Sequence, residues 1–220
     1  MIIVNTNTLF NQLKQQIQSK PFVLLQMYSD VKAHPQENRV SCYYVDFQDE
    51  QYIVPIHHTE KYQDDIKMIE TEQTIFVQDL KQYYHNTLVF SKDIRDMNWA
   101  YYLQHNKPYD TEQHLTNSHH HYNRLYHDKQ NINDLIPLLK HTEYLKPIAE
   151  NLFNHYKKHD QTILENLYQI ERNGLKTYEK IIYSEYNPFT STGRPSNRFG
   201  GLNFAALNKS DGSRKQFISR

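Results

Sequence analysis

Short runs of hydrophobic residues separated by polar turns dominate the first ninety residues of the chain. The runs at 22–27, 40–47 and 51–56 are rich in β-branched and aromatic residues, which favours strands. Shorter runs at 74–77 and 87–90 predict two further strands, and a turn at Gln48–Glu50 joins the second strand to the third. Three adjacent strands followed by alternating strand and helix are typical of a mixed-sheet α/β domain.

Helical spacing of apolar residues precedes this strand pattern and returns after it. Thr8 is the predicted N-cap of a first helix, and Gly174 is the predicted left-handed C-cap of the last one. The predicted apolar faces are Leu9, Phe10, Leu13 and Ile17 in the first helix; Trp99, Tyr102 and Leu103 in a second that starts at Asp96; Leu135, Leu138, Leu139, Thr142, Leu145, Ile148, Ala149 and Leu152 in a third capped by Asn133; and Ile163, Leu164, Leu167 and Ile170 in a fourth capped by Asp160.

The C-terminal segment differs in composition from the rest of the chain. All five glycines lie after residue 173. Acidic and basic residues balance at 25 each over the whole chain, but they are unevenly distributed. Residues 191–220 hold six basic side chains against Asp211 alone, a net charge of +5, which leaves −5 for residues 1–190. This concentration of positive charge favours a polyanionic partner for the C-terminal segment.

Cysteine and histidine usage limits the chemistry of the chain. Cys42 is the single cysteine, which excludes an intrachain disulfide and fits a reducing compartment, so we expect a cytoplasmic protein. No apolar run reaches the ~18 to 20 residues of a spanning helix, and the N-terminal residues lack the features of a secretory signal. Thirteen histidines, including His57-His58 and His119-His120-His121, have neither thiolate partners nor an HExxH-type spacing. We therefore expect no membrane association and no metal site in this chain.

Residues 186–220 combine side chains that suit a nucleic-acid backbone. Guanidinium groups bind phosphate in a forked geometry, glycines permit close backbone approach, and asparagines can read groove edges. Hydrophobic residues are interleaved with these charges, unlike in a solvated basic tail: Phe189, Phe199, Leu202, Phe204, Leu207, Phe217 and Ile218. The pattern predicts a nucleic-acid-binding surface.

This segment resembles the family A (DNA polymerase I-like) DNA polymerases, in particular those of T7-like tailed phages. The matching motifs are T-x-TGR-x-S at 190–196, Gly201-Leu202-Asn203-Phe204 in place of a P-N-L-type element, and G-x-R-x-x-F at 212–217. The resemblance implies that six side chains contact primer-template DNA: Thr192, Arg194, Ser196, Asn203, Asn208 and Arg214. The chain stops at Arg220, before the strand that bears the family's first catalytic aspartate. The resemblance therefore implies no catalytic residue and no metal ligand here, and Mg²⁺ only in the complete polymerase.

The N-terminal part is similar, through weaker motifs, to the family's 3′–5′ exonuclease domain, which has a ribonuclease H-like fold. Gln26 and Tyr28 stand at the positions of the family's D-x-E carboxylates, and Tyr83 stands at the aspartate of its N-x-x-x-D motif. Glutamine and tyrosine cannot replace carboxylates as ligands of two divalent ions. The resemblance therefore implies a degenerate exonuclease domain without proofreading.

The same resemblance divides the chain into an exonuclease-like domain at 1–130, a helical linker and abbreviated thumb at 131–182, and the start of the palm at 183–220. It implies the N-terminal portion of a phage-replication DNA polymerase, located in the host cytoplasm, whose partners are primer-template DNA and the remaining palm and fingers. One alternative is a stand-alone, non-catalytic DNA-binding replisome protein. Another is an active 3′–5′ exonuclease with ligands among Asp30, Asp46, Asp79, Asp93 and Asp96.

Overall fold

A six-stranded mixed sheet forms the centre of the structure. The computed structural model describes residues 1–28, 34, 39–59, 68–107, 154, 156–190, 194–197, 206–208 and 210–217. Its first eight strands are β1 (Ile2–Ile3), β2 (Phe22–Tyr28), β3 (Val40–Asp46), β4 (Gln51–Pro55), β5 (Ile69–Glu70), β6 (Ile75–Val77), β7 (Val89–Phe90) and β8 (Ile94–Asp96). The central sheet has the order β1-β4-β3-β2-β6-β8, while β5 and β7 form a separate parallel pair. The mixed α/β class predicted from the sequence is confirmed.

Strands β2, β3 and β4 form an antiparallel meander at the heart of the sheet. β3 is buried from Val40 to Val45, as expected for a strand covered on both faces. The predicted turn at Gln48–Glu50 is confirmed: the Phe47 N–H donates to the Glu50 carbonyl (2.9 Å), and Gln48 has a φ of 75°. On the other side of β2, strands β6 and β8 run parallel to it.

Helix α1 (Asn7–Ser19) covers the sheet with its apolar face, and Phe10, Leu13 and Ile17 are buried as predicted. Its N-cap is Thr6, whose side chain accepts a hydrogen bond from the Leu9 N–H at 3.3 Å. The prediction of Thr8 as the cap is wrong. Both residues are threonines just before the apolar stripe, and only the extended backbone of Thr6 puts its hydroxyl over the first turn.

Two more helices follow strands of the parallel half of the sheet. α2 (Leu80–His85) starts at Asp79, whose carboxylate accepts from the Lys81 and Gln82 N–H groups. α3 (Met97–His105) starts at Asp96, as predicted, and its buried residues are Met97, Trp99 and Ala100. α2 was not predicted, because six residues with three polar side chains give no clear helical period.

The C-terminal part begins with a π-helical turn, Tyr156–Asp160, which runs into α4 (Gln161–Asn173). Asp160 is the N-cap of α4, as predicted, but its backbone is helical and its side chain makes no capping hydrogen bond. The hairpin that follows pairs β9 (Leu175–Lys176) with β10 (Ile181–Ile182), and β11 (Tyr186–Asn187) then pairs with β12 (Ser196–Asn197). A 3₁₀ turn, Ser213–Gln216, comes last.

Some predicted features fall outside the described residues, namely the helix capped by Asn133, the His119-His120-His121 cluster, Asp30, Thr192 and Asn203. The Tyr28 backbone ends β2, but its side chain is not among those described. Within the part of the chain that is described, no helix has both the length and the apolarity needed to cross a bilayer.

Candidate nucleic-acid interface

A buried charge cluster fixes the chain that leads into the C-terminal segment. Lys81 of α2 donates hydrogen bonds to Glu171 Oε1 of α4 and to the Tyr186 carbonyl, each at 2.5 Å. The Tyr186 N–H donates to Glu171 Oε1 (2.7 Å), and His85 Nε2 lies 3.4 Å from Glu171 Oε2. The Lys81 and Glu171 side chains are 3% and 1% exposed, so neither water nor salt screens the pair strongly. Strand β11 therefore starts from a fixed point beside α2 and α4.

Sequence analysis missed this cluster, although α4 carries a signal for it. The buried residues of α4 are Leu164, Leu167, Tyr168 and Glu171, which follow the i, i+3, i+4, i+7 spacing of one helical face. A glutamate on that apolar face predicts a buried carboxylate with a partner elsewhere. Its partner cannot be read from the sequence, because Lys81 is 90 residues away.

Aromatic packing against α3 holds the next stretch of chain. The Phe189 ring lies 5.3 Å from the Trp99 ring and 5.5 Å from the Tyr102 ring, measured between centroids. The Tyr102 hydroxyl donates to the Thr190 carbonyl at 3.4 Å. Thr190, the first residue of the T-x-TGR-x-S motif, is thus held against α3.

A closed loop then presents Arg194. Strands β11 and β12 pair Tyr186 with Asn197 and Asn187 with Ser196, which brings the two ends of the loop together. Inside the loop, the Thr190 hydroxyl donates to the Arg194 carbonyl at 2.8 Å. Arg194 is exposed and Ser196 is half-buried. Because its backbone is held by Thr190, the Arg194 guanidinium extends into solvent from a fixed base.

The other two described candidates, Asn208 and Arg214, lie together in a separate turn. Arg214 donates from Nε and Nη2 to the Leu207 carbonyl at 3.1 and 3.0 Å. Asn208 Oδ1 accepts from the Ser210 N–H (3.0 Å) and hydroxyl (2.8 Å). These contacts occupy the Asn208 oxygen and two of the five guanidinium N–H groups of Arg214, which leaves donors of both side chains for a ligand.

The structure links this turn to the β9–β10 hairpin. Thr177 and Phe217 form an isolated antiparallel bridge, so the basic side chains of the hairpin and of the 3₁₀ turn lie on neighbouring pieces of chain. Among the described residues of these two turns, the exposed basic ones are Lys176, Lys180, Arg214 and Lys215, and the exposed acidic ones are Glu179 and Asp211. Hydrogen bonds from the Ser213 hydroxyl and N–H lower the pKa of Asp211. A lowered pKa keeps Asp211 ionised, so the four basic and two acidic side chains named above sum to a charge of +2.

Gln26 and Tyr83, two of the positions predicted to be degenerate in the exonuclease motifs, are buried and hydrogen-bonded to backbone carbonyls. Gln26 is buried, and its amide donates to the Gln82 carbonyl (3.3 Å) and the Asn86 carbonyl (3.0 Å). Tyr83 is also buried, and its hydroxyl donates to the Val89 carbonyl at 2.8 Å. Burial raises the pKa of Tyr83. Both side chains serve the packing of α2 against the sheet.

Three of the aspartates that the exonuclease alternative names as possible metal ligands, Asp46, Asp93 and Asp96, accept hydrogen bonds from protein groups. Asp46 accepts from the Tyr44 hydroxyl, and Asp93 accepts from the Thr74 hydroxyl and from Lys157. Asp96 receives the Leu80 N–H on one oxygen and the Trp99 N–H on the other, both at 2.8 Å.

Asp96 and Asp79 lie near each other at the carboxyl ends of β8 and β6. Burial, and next the Asp79 carboxylate, raise the pKa of Asp96 to about 8. Among the described residues, no group of three His, Cys, Asp or Glu side chains is placed to hold a metal ion.

Comparison with known proteins adds no identification. The chain matches no protein-family model, and no curated protein matches it significantly. The fold defines a mixed α/β protein whose C-terminal segment, anchored by Glu171 and Phe189, presents basic side chains.

Proposed function

We propose that this chain is the N-terminal portion of a family A DNA polymerase that acts in phage DNA replication. In this proposal the chain binds primer-template DNA through the closed loop around Arg194. The observation that carries the proposal is the coincidence of motif and geometry: Thr190 and Arg194 of the T-x-TGR-x-S motif lie between the paired strands β11 and β12, and Arg194 is exposed. A guanidinium held at its backbone and open to solvent suits a phosphate contact.

The order of strands supports a ribonuclease H-like exonuclease domain. An antiparallel meander, β2-β3-β4, continues into parallel strands β6 and β8 on the far side of β2. In this proposal Gln26 and Tyr83 stand at metal-ligand positions of that domain, and their hydrogen bonds to backbone carbonyls support a structural role there without proofreading.

The thumb and palm assignments follow from the same resemblance. α4 and the β9–β10 hairpin belong to the abbreviated thumb, and the chain from Tyr183 onwards starts the palm. Catalytic aspartates and Mg²⁺ belong to the remaining palm and fingers, which are the protein partner in the host cytoplasm. The chain by itself neither extends nor shortens a primer.

The test is DNA binding by the Arg194→Ala variant, measured by fluorescence anisotropy with a labelled primer-template. We expect affinity to fall about 10- to 150-fold, which corresponds to the ~1.5 to 3 kcal/mol of a charge-assisted hydrogen bond, with little dependence on sequence. Arg39→Ala, an exposed arginine before β3, is the matched control and should bind normally. Equal affinity of wild type and Arg194→Ala would contradict the proposal.

The salt dependence gives a second measure of the same interface. The six basic residues at 191–220 can neutralise at most about six phosphates, so this segment should contribute no more than about −5 to the slope of log K against log salt. A chain ending at Thr190 keeps the Phe189 contacts and should fold, but it should lose most of this slope. Magnesium-dependent shortening of the primer by the wild type would instead support the exonuclease alternative.

A further inference from the structure

The turn between β9 and β10 carries an aromatic ring in open solvent. Tyr178 is 72% exposed, the largest value among the exposed large hydrophobic residues of the described chain. Lys176 and Lys180 flank it and are exposed as well. A tyrosine ring can stack on a planar group, so an open ring beside two cations suits a ligand that is both planar and anionic.

The turn that holds Tyr178 is well ordered by its own hydrogen bonds. The Thr177 N–H donates to the Lys180 carbonyl at 2.8 Å. The Thr177 hydroxyl accepts from the N–H groups of Glu179 (3.3 Å) and Lys180 (3.0 Å). The bridge from Thr177 to Phe217 ties the turn to the C-terminal segment. Little backbone freedom is left to lose when a ligand binds, which favours affinity.

The chemistry of this surface selects single-stranded nucleic acid. Proteins bind unpaired strands by stacking bases on exposed aromatic rings while cationic side chains follow the phosphates. Tyr178 supplies the ring, Lys176 and Lys180 supply the cations, and Glu179 alone opposes them in the turn. The faces of bases in duplex DNA are already stacked, so the ring favours an unpaired base.

We propose that the Thr177–Lys180 turn is a stacking site for an unpaired base of single-stranded DNA, with Lys176 and Lys180 on the adjoining phosphates. This inference rests on the proposed function, since it places the unpaired part of a primer-template substrate on the hairpin. It adds a contact outside the Thr192 to Arg214 set of predicted DNA-binding residues.

The test uses the single tryptophan of the chain, Trp99, which is only 7% exposed. Tyr178→Trp adds an exposed indole whose fluorescence a stacked base should quench when oligo(dT) is titrated into the full chain. Phe90→Trp is the matched control, because Phe90 is exposed on β7 of the sheet domain, and its fluorescence should not respond. Tyr178→Ala should weaken oligo(dT) binding about 5- to 150-fold, and Tyr178→Phe should bind like the wild type.

The outcomes separate this inference from the proposed function. If oligo(dT) leaves the Tyr178→Trp signal unchanged while Arg194→Ala still weakens primer-template binding, the stacking site is wrong and the proposed function stands. If the wild type binds neither primer-template nor oligo(dT), both proposals fail. Unchanged melting temperatures of the Tyr178 variants confirm that the fold is intact.

Discussion

Asp96 shows at the scale of one residue how burial and hydrogen bonding oppose each other. Its two oxygens cap α3 and hold the first N–H of α2, which favours the charged form. Burial and the neighbouring Asp79 carboxylate outweigh those bonds and raise its pKa to about 8. The folded protein therefore binds a proton on Asp96 at pH values where the unfolded chain, with a pKa of 3.8, does not.

We predict that Asp96 makes the protein less stable as the pH rises. Between about pH 4 and pH 8 the folded state holds more protons than the unfolded state, so its free energy of unfolding should fall by at most about 1.4 kcal/mol per pH unit. The contribution is complete below pH 4 and lost as the pH passes through about 8. Urea unfolding of wild type and Asp96→Asn across this range measures it.

The Asn variant separates this effect from the titration of the histidines, which both proteins share. Asparagine should lower stability at pH 4 because its NH₂ group cannot accept one of the two backbone N–H groups. The difference between the two proteins should then shrink with rising pH. Parallel stability curves would show that Asp96 is already ionised at pH 4 in the folded state.

At the level of a whole element, the end of α4 is determined by the backbone conformation of Gly174 and by its close contact with β10. Gly174 has a φ of 65° and a ψ of 179°, a backbone conformation essentially restricted to glycine. A Cβ there would lie 2.6 Å from Ile181 Cγ2 and 2.9 Å from the Ile182 carbonyl oxygen. The sequence correctly predicts a glycine stop, but the close approach of β10 needs the tertiary structure.

We predict that Gly174→Ala costs about 2 to 5 kcal/mol, the sum of backbone strain and overlap with β10. Gly212→Ala is the control for a positive φ without overlap, because Gly212 has a φ of 78° and a ψ of −1°, and no atom of the described residues lies within 4 Å of the added Cβ. The control should cost only about 1 to 2 kcal/mol, from backbone strain alone. Chemical denaturation compares them, and equal losses would mean that β10 moves aside at no cost.

The elements that the sequence predicts well are those with a strong local pattern. The meander strands and α1 follow from runs and stripes of apolar residues, with ends correct to one or two residues. In α4 the apolar stripe misleads, since Ile163 and Ile170 are exposed. Its buried face instead includes Tyr168 and Glu171, because α2 offers them an aromatic ring, Tyr84, and a cation, Lys81.

Within the candidate interface, the sequence predicts which residue types are present but only some of their contacts and exposures. The exposure of Arg194 agrees with its motif. The hydrogen bonds from the Arg214 guanidinium to the Leu207 carbonyl depend on the backbone conformation of a turn, which the sequence does not predict. Lys81 and His85 of α2 contact Glu171 of α4, and no local sequence pattern predicts a contact between two helices so far apart in the chain.

At the scale of the whole molecule, we predict that Glu171→Gln costs about 3 to 5 kcal/mol, because it leaves the buried Lys81 ammonium without a carboxylate. The loss should be independent of salt, since the pair is shielded from solvent. The partner variant Lys81→Met completes a double-mutant cycle, in which the double variant should lose less than the two single losses combined. Thermal and urea unfolding at low and high salt provide the measurements.

Asp49→Asn is the control for this experiment. It breaks the ion pair of Asp49 with Lys20, in which the aspartate side chain is 66% exposed, and it should leave the unfolding midpoint unchanged. A Glu171→Gln variant as stable as this control would show that Lys81 is neutral or hydrated in the folded state.

The distance along the chain between Lys81 and Glu171 also sets an order of events during synthesis. The ribosome adds about 5 to 20 residues per second, so Glu171 is made about 4.5 to 18 s after Lys81. For that time the nascent sheet lacks the anion, the α4 face and the Phe189 ring that complete its surface. The sheet domain therefore remains incomplete until α4 and the chain through Phe189 have been made, and the same stretch of chain positions the basic segment.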